Sequence, residues 1–509
     1  MACALALGLP GPAMAEAAPT ADSALTSLRT TPTTWRLTSE TWDLPGSERM
    51  GMVGANLMFD VNDTVRVGMG SYGAVRGDRG GFITLGVAGE LRQRLGASWR
   101  GHAGLFVGAG GGRNGVELAG GGLMLRSDLG LVYETAGHGN VGVGLSHVSF
   151  PSGRTRSTQP YVLYEYTFQS LLGPRGLVLP THGEDGSAAA PSRAQEFSLV
   201  TRSYRIPSSV LRDNGQAQHG SMQLLGVEWL SYQGDRWFVK LESEGAMGGD
   251  SAGYMQILAG GGYRWPVGNS SAVKLHAAAG PAGGGGVDTG GGLLLDAGVA
   301  WQQQLSRRTA LELGLGELRA PSGSFKAHSL ALKLNHQFGL PAVGSGGTVT
   351  WPSLAGFDAA PLRVRVASQT YVDGSANWRS GDQGQKVSNL GVQLDYFVSP
   401  HWFLTGQGLA AYEGDAGAYM AGQLGVGAQW PLSRRWFMEG EALVGAAGGG
   451  GLATGNGLVG QVNASLGYRL SQSLSVMATA GHISALKGDM KAKVLGVSLG
   501  YEFTGLMGR

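Results

Sequence analysis

The sequence predicts an all-β protein: an antiparallel transmembrane β-barrel built from three eight-stranded repeats. Three observations lead to this fold class. Residues 494–503, VLGVSLGYEF, alternate with a period of two between apolar side chains and small or polar ones. Short turns flanked by aromatic residues recur along the chain, and a set of sequence landmarks occurs three times in the same order. Period-two alternation is typical of a strand that lies between two different environments.

The repeat is visible in landmarks that keep nearly one spacing, as expected of internal repeats. A Gly-Asp pair recurs with Asp78, Asp250 and Asp415, in steps of 172 and 165 residues. Gly tracts follow at 110–112, 283–286 and 448–451, and each repeat closes on a strand that ends in Phe168, Phe338 or Phe503.

These landmarks divide the chain into modules separated by segments rich in Pro, Gly, Ser and Ala, a composition typical of linkers. The predicted organisation is a signal peptide at 1–15, an N-terminal segment at 16–33, modules at 34–168, 197–338 and 362–509, and linkers at 169–196 and 339–361.

The third module divides into eight strand-like segments joined alternately by short turns and by longer, more polar connections such as 373–385. Aromatic residues clustered at one end of many strands indicate an interfacial girdle. Because lipid offers backbone groups no hydrogen-bond partners, a sheet there must close. The inward face would then be crowded, which suits Gly and Ala. One barrel of 24 strands is the alternative; the separate closing Phe of each module favours three barrels.

Composition and the N-terminus further restrict the class of protein. Gly accounts for 90 of 509 residues, the formal net charge is +2, and the single cysteine is Cys3. The near balance of charge gives no case for nucleic acid, and one cysteine cannot form a disulfide framework. Leu5 to Leu9 is apolar and Ala13 to Ala15 has a small-x-small pattern, which predicts cleavage of an export signal.

No cofactor or metal site is predicted. Gly110 to Gly122 reads GGGRNGVELAGGG and lacks the Lys-Ser/Thr of a phosphate loop. The repeated Asp78, Asp250 and Asp415 supply one carboxylate per turn, too few for the oxygen shell of calcium, and are better explained as turn-forming residues.

Two His-x-Ser motifs lie just before loops, His147 with Ser149 and His482 with Ser484. Residues at i and i+2 share a face of a strand, and a neutral imidazole near a hydroxyl is able to activate a Ser nucleophile. Both pairs are in phase with apolar residues, so we expect them on the lipid-facing wall. Module two carries Glu317 and Arg319 at the same position.

Together, the eight-strand plan and the His-x-Ser motif resemble the lipid A 3-O-deacylases, which are eight-stranded outer-membrane barrels. The resemblance implies a base at His147 or His482 and a nucleophile at Ser149 or Ser484. Phe150 and Ala485 stand where that family commonly has Asn. The aromatic-x-Phe end of each module also resembles the closing strand of bacterial outer-membrane proteins.

The sequence therefore predicts an exported outer-membrane barrel protein of a Gram-negative-type envelope, with a structural, surface or transport role and no enzymatic activity. Its expected partners are outer-membrane lipid and, through self-association, copies of itself. Two alternatives stay open: a lipid-modifying esterase that uses His147, Ser149, His482 and Ser484, and a soluble, secreted Gly-rich β assembly.

Overall fold

The structure, a computed structural model, describes residues 28–112, 115–135, 139–177, 179, 192–218, 220–341, 356–380 and 386–508. The predicted signal peptide at 1–15 lies outside the described residues, as do most of the N-terminal segment and much of both linkers.

The described chain consists of 24 antiparallel strands and one five-residue helix, α1 (Gly115–Ala119). We name the first eight strands sheet 1: β1 (Arg29–Leu44), β2 (Glu48–Asp60), β3 (Val65–Arg76), β4 (Ile83–Arg94), β5 (Trp99–Gly111), β6 (Leu123–Tyr133), β7 (Asn140–Ser149) and β8 (Arg156–Pro174). Sheet 2 comprises β9 (Ser192–Arg205), β10 (Ser221–Gln233), β11 (Trp237–Gly248), β12 (Met255–Val267), β13 (Ser271–Gly283), β14 (Leu293–Gln304), β15 (Thr309–Arg319) and β16 (Lys326–Pro341). Sheet 3 comprises β17 (Phe357–Val372), β18 (Lys386–Phe397), β19 (Trp402–Glu413), β20 (Met420–Pro431), β21 (Trp436–Gly448), β22 (Leu458–Arg469), β23 (Leu474–Ala485) and β24 (Lys491–Gly508).

Strand pairing follows chain order within each sheet and then returns to the first strand. β1 pairs with β8, β9 with β16, and β17 with β24, all antiparallel. Short pairings also connect the sheets, Gly339 with Gly508 and Phe503 with Pro174, so that all 24 strands belong to one hydrogen-bonded system. Closure satisfies the backbone groups that an open edge would leave unpaired.

Each sheet has two unlike ends. The chain enters and leaves at the short-turn end, where turns such as 61–64, 268–270 and 470–473 connect the strands. At the opposite end, the loop end, lie the repeated Gly-Asp turns and Gly tracts. Gly77, Gly249 and Gly414 each adopt a φ between +84° and +102°, a left-handed conformation that favours glycine, which explains the recurrence of this residue in the landmark.

A β-bulge recurs where the third strand of each sheet approaches the loop end. The register with the second strand shifts between Gly51 and Met52, between Gln223 and Leu224, and between Ser388 and Asn389. A bulge bends its strand and increases the local twist. The repeated bulge therefore turns the end of β3, β11 and β19 in the same way.

The inner face of each sheet has an apolar zone at the loop end and a polar zone below it. In sheet 1 the apolar zone contains Trp42, Phe82, Phe106 and Phe150, all fully or almost fully buried. Equivalent clusters form around Tyr204, Tyr254 and Phe325 in sheet 2 and around Tyr371, Trp378 and Tyr419 in sheet 3. These side chains fill the loop end of each closed sheet.

The three sheets contact one another in a closed cycle near the loop end. The third strand of each sheet meets the fifth strand of another: β3 meets β13, β11 meets β21, and β19 meets β5. Every sheet thus offers one third-strand surface and one fifth-strand surface. A head-to-tail contact of this kind forms a ring when the rotation closes, and here it closes after three sheets.

Candidate functional site

The outward face of the sheets is strongly apolar. On β15 the outward residues Leu311, Leu313 and Leu315 are exposed, and on β16 Leu330, Leu332 and Leu334 are exposed too. The same alternation places Leu495, Val497 and Leu499 of β24 outward, as predicted from the sequence. A continuous apolar wall of this kind marks a surface that contacts something other than water.

Aromatic residues encircle the short-turn end of this wall. The exposed tryptophans are Trp99, Trp237, Trp265, Trp301, Trp402, Trp430 and Trp436. Edge-to-face pairs repeat in the three sheets, with ring centroids 5.2 Å apart in Trp99–Tyr133 and 4.9 Å apart in both Trp237–Tyr263 and Trp436–Tyr468. Trp and Tyr are enriched at the boundary between hydrocarbon and water because one part of each ring is apolar and another is polar.

The inner face carries buried charges, which the sequence interpretation did not foresee. In sheet 1 the carboxylate of Glu165 accepts hydrogen bonds from Arg36 at 2.9 Å, Arg66 at 3.2 Å and Arg100 at 2.5 Å. A second group places Arg126 between Glu40 and Asp128, at 2.9 and 2.6 Å. All these side chains are almost completely shielded from solvent.

Sheets 2 and 3 have networks of the same kind with different members. In sheet 2 Lys274 bridges Glu196 and Glu312, at 2.5 and 2.7 Å, and Lys333 bridges Glu228 and Glu312, at 2.8 and 3.0 Å. In sheet 3 Arg363 contacts Asp395 and Glu439 at 2.7 and 2.6 Å, while Arg365 contacts Asp395 and Glu441. Buried charges are tolerated when they are paired and hydrogen-bonded in this way.

The expectation that Gly and Ala fit the inward positions was therefore incomplete. Inward glycines do occur, and they make room for rings on the neighbouring strand: a Cβ on Gly262, Gly427 or Gly467 would collide with Phe238, Phe403 or Phe437. Between these rings, however, long charged side chains occupy the interior. A closed eight-stranded sheet is just wide enough for side chains to fill it, and opposite charges allow Arg, Lys and Glu to do so without unpaired charge.

The Gly tracts and neighbouring loop glycines form the contacts between the sheets: a Cβ on Gly81 would collide with the amide nitrogen of Gly284, and one on Gly111 would collide with the carbonyl oxygen of Gly417. The amide of Gly80 donates a hydrogen bond to the carbonyl of Gly290 at 2.8 Å, and that of Gly417 donates to the carbonyl of Gly120 at 3.2 Å. At the third contact a Cβ on Gly253 would lie 2.8 Å from the amide nitrogen of Gly449. Only glycine allows backbones to approach so closely, which gives the repeated tracts a physical reason.

A cavity of about 140 Å³ lies where these loops meet. Its walls come from all three sheets and consist mostly of glycine backbone, with Asp213, Asp288 and Thr289 among the few side chains. Inside sheet 1 a much smaller space, about 20 Å³, remains beside Arg36, Glu90 and Tyr161.

His147 and Ser149 both lie on the outer wall near the loop end of β7, as predicted. Nδ1 of His147 is 2.8 Å from the hydroxyl oxygen of Thr158, its neighbour on β8. No hydrogen bond joins His147 to Ser149 in the described part of the chain. A hydroxyl therefore occupies the place where a catalytic triad has a carboxylate.

His482 and Ser484 occupy the matching position on β23 and also face outward. His482 lies opposite Lys493 and Ser484 lies opposite Lys491. The hydroxyl of Ser484 donates to the carbonyl of Ala485 at 3.3 Å, and within the described residues His482 has no hydrogen-bond or ion-pair partner. In sheet 2 Glu317 and Arg319 occupy the same outward position on β15.

Among the described residues, no helix is both long enough and apolar enough to cross a membrane. Nor do three or more His, Cys, Asp or Glu side chains come together there in a group suited to a metal ion.

No protein-family model matches the sequence, and a search of curated proteins finds no match. Among solved structures, the chain is similar to the siderophore receptors PirA from Acinetobacter baumannii (10% identity, TM-score 0.28) and from Pseudomonas aeruginosa (12%, 0.27). In both cases the match covers 93% of this chain and 80% of the other.

The surface and the pairing lead to a conclusion about location. Within the described residues each sheet closes without a free edge strand, its outer wall is apolar, and its short-turn end carries a ring of Trp and Tyr. These are the properties of a β-barrel that spans the outer membrane. The chain is an integral β-barrel protein of the outer membrane of a Gram-negative-type envelope.

Proposed function

We propose that this chain is a non-enzymatic structural component of the outer membrane, in which each closed sheet is a separate eight-stranded barrel and three barrels form one bundle. On this proposal the interior of each barrel stabilises the barrel and does not conduct solutes. The bundle presents its Gly-rich loop end on one side of the membrane.

The extent of strand pairing supports three barrels in preference to one of 24 strands. The first and last strands pair over 12 residue pairs in sheet 1, 14 in sheet 2 and 16 in sheet 3. Pairing between sheets involves two residue pairs for β8 with β24 and one for β16 with β24. Hydrogen bonding within each set of eight is thus far more extensive than hydrogen bonding between sets.

One observation carries the structural role: the interior of each sheet is filled. Glu165, Lys274 and Arg363 lie at the centres of buried ion-pair networks, and apolar clusters occupy the space above them. A water-filled lumen requires more strands, 16 to 18 in porins. A filled eight-stranded barrel does not provide a path for polar solutes.

The test is conductance of the full chain in a planar lipid bilayer. We expect no steady conductance at 1 M KCl, with a reconstituted porin as the positive control and heat-modifiable gel migration as proof of folding. Steady channels of uniform size, seen only with folded protein, would contradict the proposed structural role.

Transport is a second candidate, which the cavity between the sheets favours. Because each interior is filled, a path would have to follow the axis where the Gly tracts meet, next to Gly81, Gly253 and Gly449. Replacing Gly253 by Trp would narrow that axis, and because its Cβ would also press against Gly449, heat-modifiable migration must show that the variant is folded. If conductance is observed and this variant abolishes it, the axis is the path and the transport role is correct.

A further inference from the structure

Three exposed cations form a cluster on the outer wall of sheet 2, at its loop end. Arg319 ends β15, Lys326 begins β16 and Arg205 ends β9, and all three side chains are exposed. Arg319 lies directly opposite Lys326, and Arg205 lies opposite His328. We call Arg205, Arg319 and Lys326 the basic rim.

The basic rim lies directly above the apolar wall. Along β16 the outward positions run Lys326, His328, Leu330, Leu332 and Leu334. Leu330 lies four positions after Lys326, about 13 Å along the strand at ~3.3 Å per residue. The rim is therefore at the depth of lipid headgroups when the leucines are in hydrocarbon.

None of the three cations is neutralised by the protein. Within the described residues Arg205, Arg319 and Lys326 have no ion-pair partner, and Glu317, opposite His328, is the acidic residue exposed beside them. The strands that carry the rim are not those that make the loop-end contacts with sheets 1 and 3. The rim thus faces outward from the bundle with a net positive charge.

A cation recurs at the same place in every sheet. The first residue of the last strand is Arg156 in sheet 1, Lys326 in sheet 2 and Lys491 in sheet 3, and each is exposed. The exposed aromatic rings of the described chain lie toward the short-turn end instead. Exposed cations occur at both ends of the wall, but among the described residues the exposed aromatic rings lie toward the short-turn end, whereas this repeated cation lies at the loop end.

We propose that the basic rim binds the phosphate groups of a phosphorylated lipid in the membrane leaflet at the loop end. A guanidinium is able to donate two parallel hydrogen bonds to a phosphate, and an ammonium contributes a point charge. Arg319 and Lys326, adjacent across the strand pair, would contact one phosphate group, with Arg205 on the next strand. The proposal rests on the conclusion that the chain lies in the membrane, and it adds the class of lipid that the chain binds.

The experiment uses the full chain in neutral detergent micelles and measures bound lipid by native mass spectrometry. The probes are bis-phosphorylated lipid A and the same lipid with both phosphates removed. The test variant is the triple change Arg205→Gln, Arg319→Gln and Lys326→Gln. The matched control, Arg29→Gln, Arg307→Gln and Arg434→Gln, removes three exposed cations from the short-turn end.

Each cation near an anionic lipid surface is worth about a fivefold change in affinity, so three together give a loss on the order of 100-fold. We expect that loss in the test variant for the phosphorylated lipid, a change of about twofold or less in the control, and weak binding of the dephosphorylated lipid by all proteins. Raising salt to 1 M should weaken wild-type binding, because the Debye length falls to about 3 Å.

Three results would overturn the proposal: equal binding by wild type and test variant, an equal loss in the control variant, or equal binding of the dephosphorylated lipid. If the triple variant does not show heat-modifiable migration, Lys326→Gln alone replaces it, with an expected loss of about fivefold. Membrane residence is tested separately by fractionation of cells. If fractionation places the chain in the membrane and the test variant binds the lipid like wild type, lipid binding by the basic rim is refuted and membrane residence stands.

Discussion

Glu165 in β8 offers a direct test of the buried networks. Its carboxylate is fully shielded from solvent and accepts hydrogen bonds from Arg36, Arg66 and Arg100. The change Glu165→Gln keeps the volume of the side chain and removes its charge. Three guanidinium groups in the interior of sheet 1 would then lose their common partner.

The expected magnitude follows from that geometry. Removing one partner of a buried ion pair costs about 3–5 kcal/mol because the other charge remains buried and uncompensated. Part of this cost is recovered, since Arg36 and Arg66 also lie near Glu90. We therefore expect sheet 1 to lose about 3 kcal/mol of unfolding free energy, which corresponds to a change of more than 100-fold in its unfolding equilibrium.

Hydrogen exchange of the full chain, read by mass spectrometry of peptides, separates the sheets. Exchange should accelerate in peptides from 29–174, while peptides from 357–508 in the same molecules serve as the internal reference. The control variant is Glu117→Gln, which removes a surface ion pair with Arg154 at 2.9 Å in which both side chains are more than half exposed. Such a pair contributes less than about 1 kcal/mol.

A loss of less than 1 kcal/mol on Glu165→Gln would refute the reasoning, because it would mean that the arginines reach water or another partner. Equal acceleration of exchange in both sheets would also contradict it, since the network of sheet 1 does not extend into sheet 3.

Three further predictions concern the wall and the contacts. The double change Ser149→Ala and Ser484→Ala should leave lipid A acylation and stability unaltered, within about 0.5 kcal/mol; loss of an acyl-chain cleavage that depends on either serine, seen by mass spectrometry of lipid A, would make the protein an esterase. A Cβ on Gly245 would lie 2.9 Å from that of Ala446, and an opening of about 0.9 Å brings the pair to the ~3.8 Å usual for a disulfide; Gly245→Cys with Ala446→Cys should therefore form a disulfide under mild oxidation, detected by peptide mapping, whereas Val239→Cys with Ala446→Cys should not. The edge-to-face pair Trp436–Tyr468 should show a coupling of about 0.5–1.5 kcal/mol in a double-mutant cycle of alanine variants, while Trp99 and Tyr468, in different sheets, should add without coupling.

The period-two pattern was sufficient to predict the strands and their outward faces. Leu495, Val497 and Leu499 face outward as predicted, because lipid selects large apolar side chains at every second position of a strand. The His-x-Ser residues were placed on the correct face for the same reason. Which atoms they contact was not predictable, since Thr158 is a neighbour of His147 only through the register of β7 and β8.

The buried ion-pair networks correspond to a pattern in the sequence that was not used to predict them. Glu312 alternates with Leu311 and Leu313, and Arg363 and Arg365 alternate with Val364 and Val366. Charges in the phase opposite to the apolar residues indicate a buried polar interior. The partners were beyond prediction because Arg36 and Glu165 are 129 residues apart and meet only when the first and last strands pair.

Local sequence patterns likewise did not predict the contacts between the sheets. The Gly tracts were recognised as repeat landmarks, and their role in close backbone approach depends on loops from different modules, such as those of Gly111 and Gly417. A glycine in a turn and a glycine against a neighbouring backbone have the same appearance in a single sequence. Only the assembled loops distinguish the two.

The cyclic contacts have a consequence for how the molecule tolerates mutation. In a trimer of identical subunits, one substitution at the contact between subunits would appear three times and weaken all three contacts at once. Here different residues form each of the three contacts between sheets: Gly80 with Gly290, Gly253 with Gly449 and Gly417 with Gly120. A single substitution damages one contact and leaves two intact. Because the three sheets belong to one chain, they also stay at high local concentration. The chain therefore gains redundancy, and each sheet is free to acquire its own surface chemistry while the remaining contacts hold the sheets together.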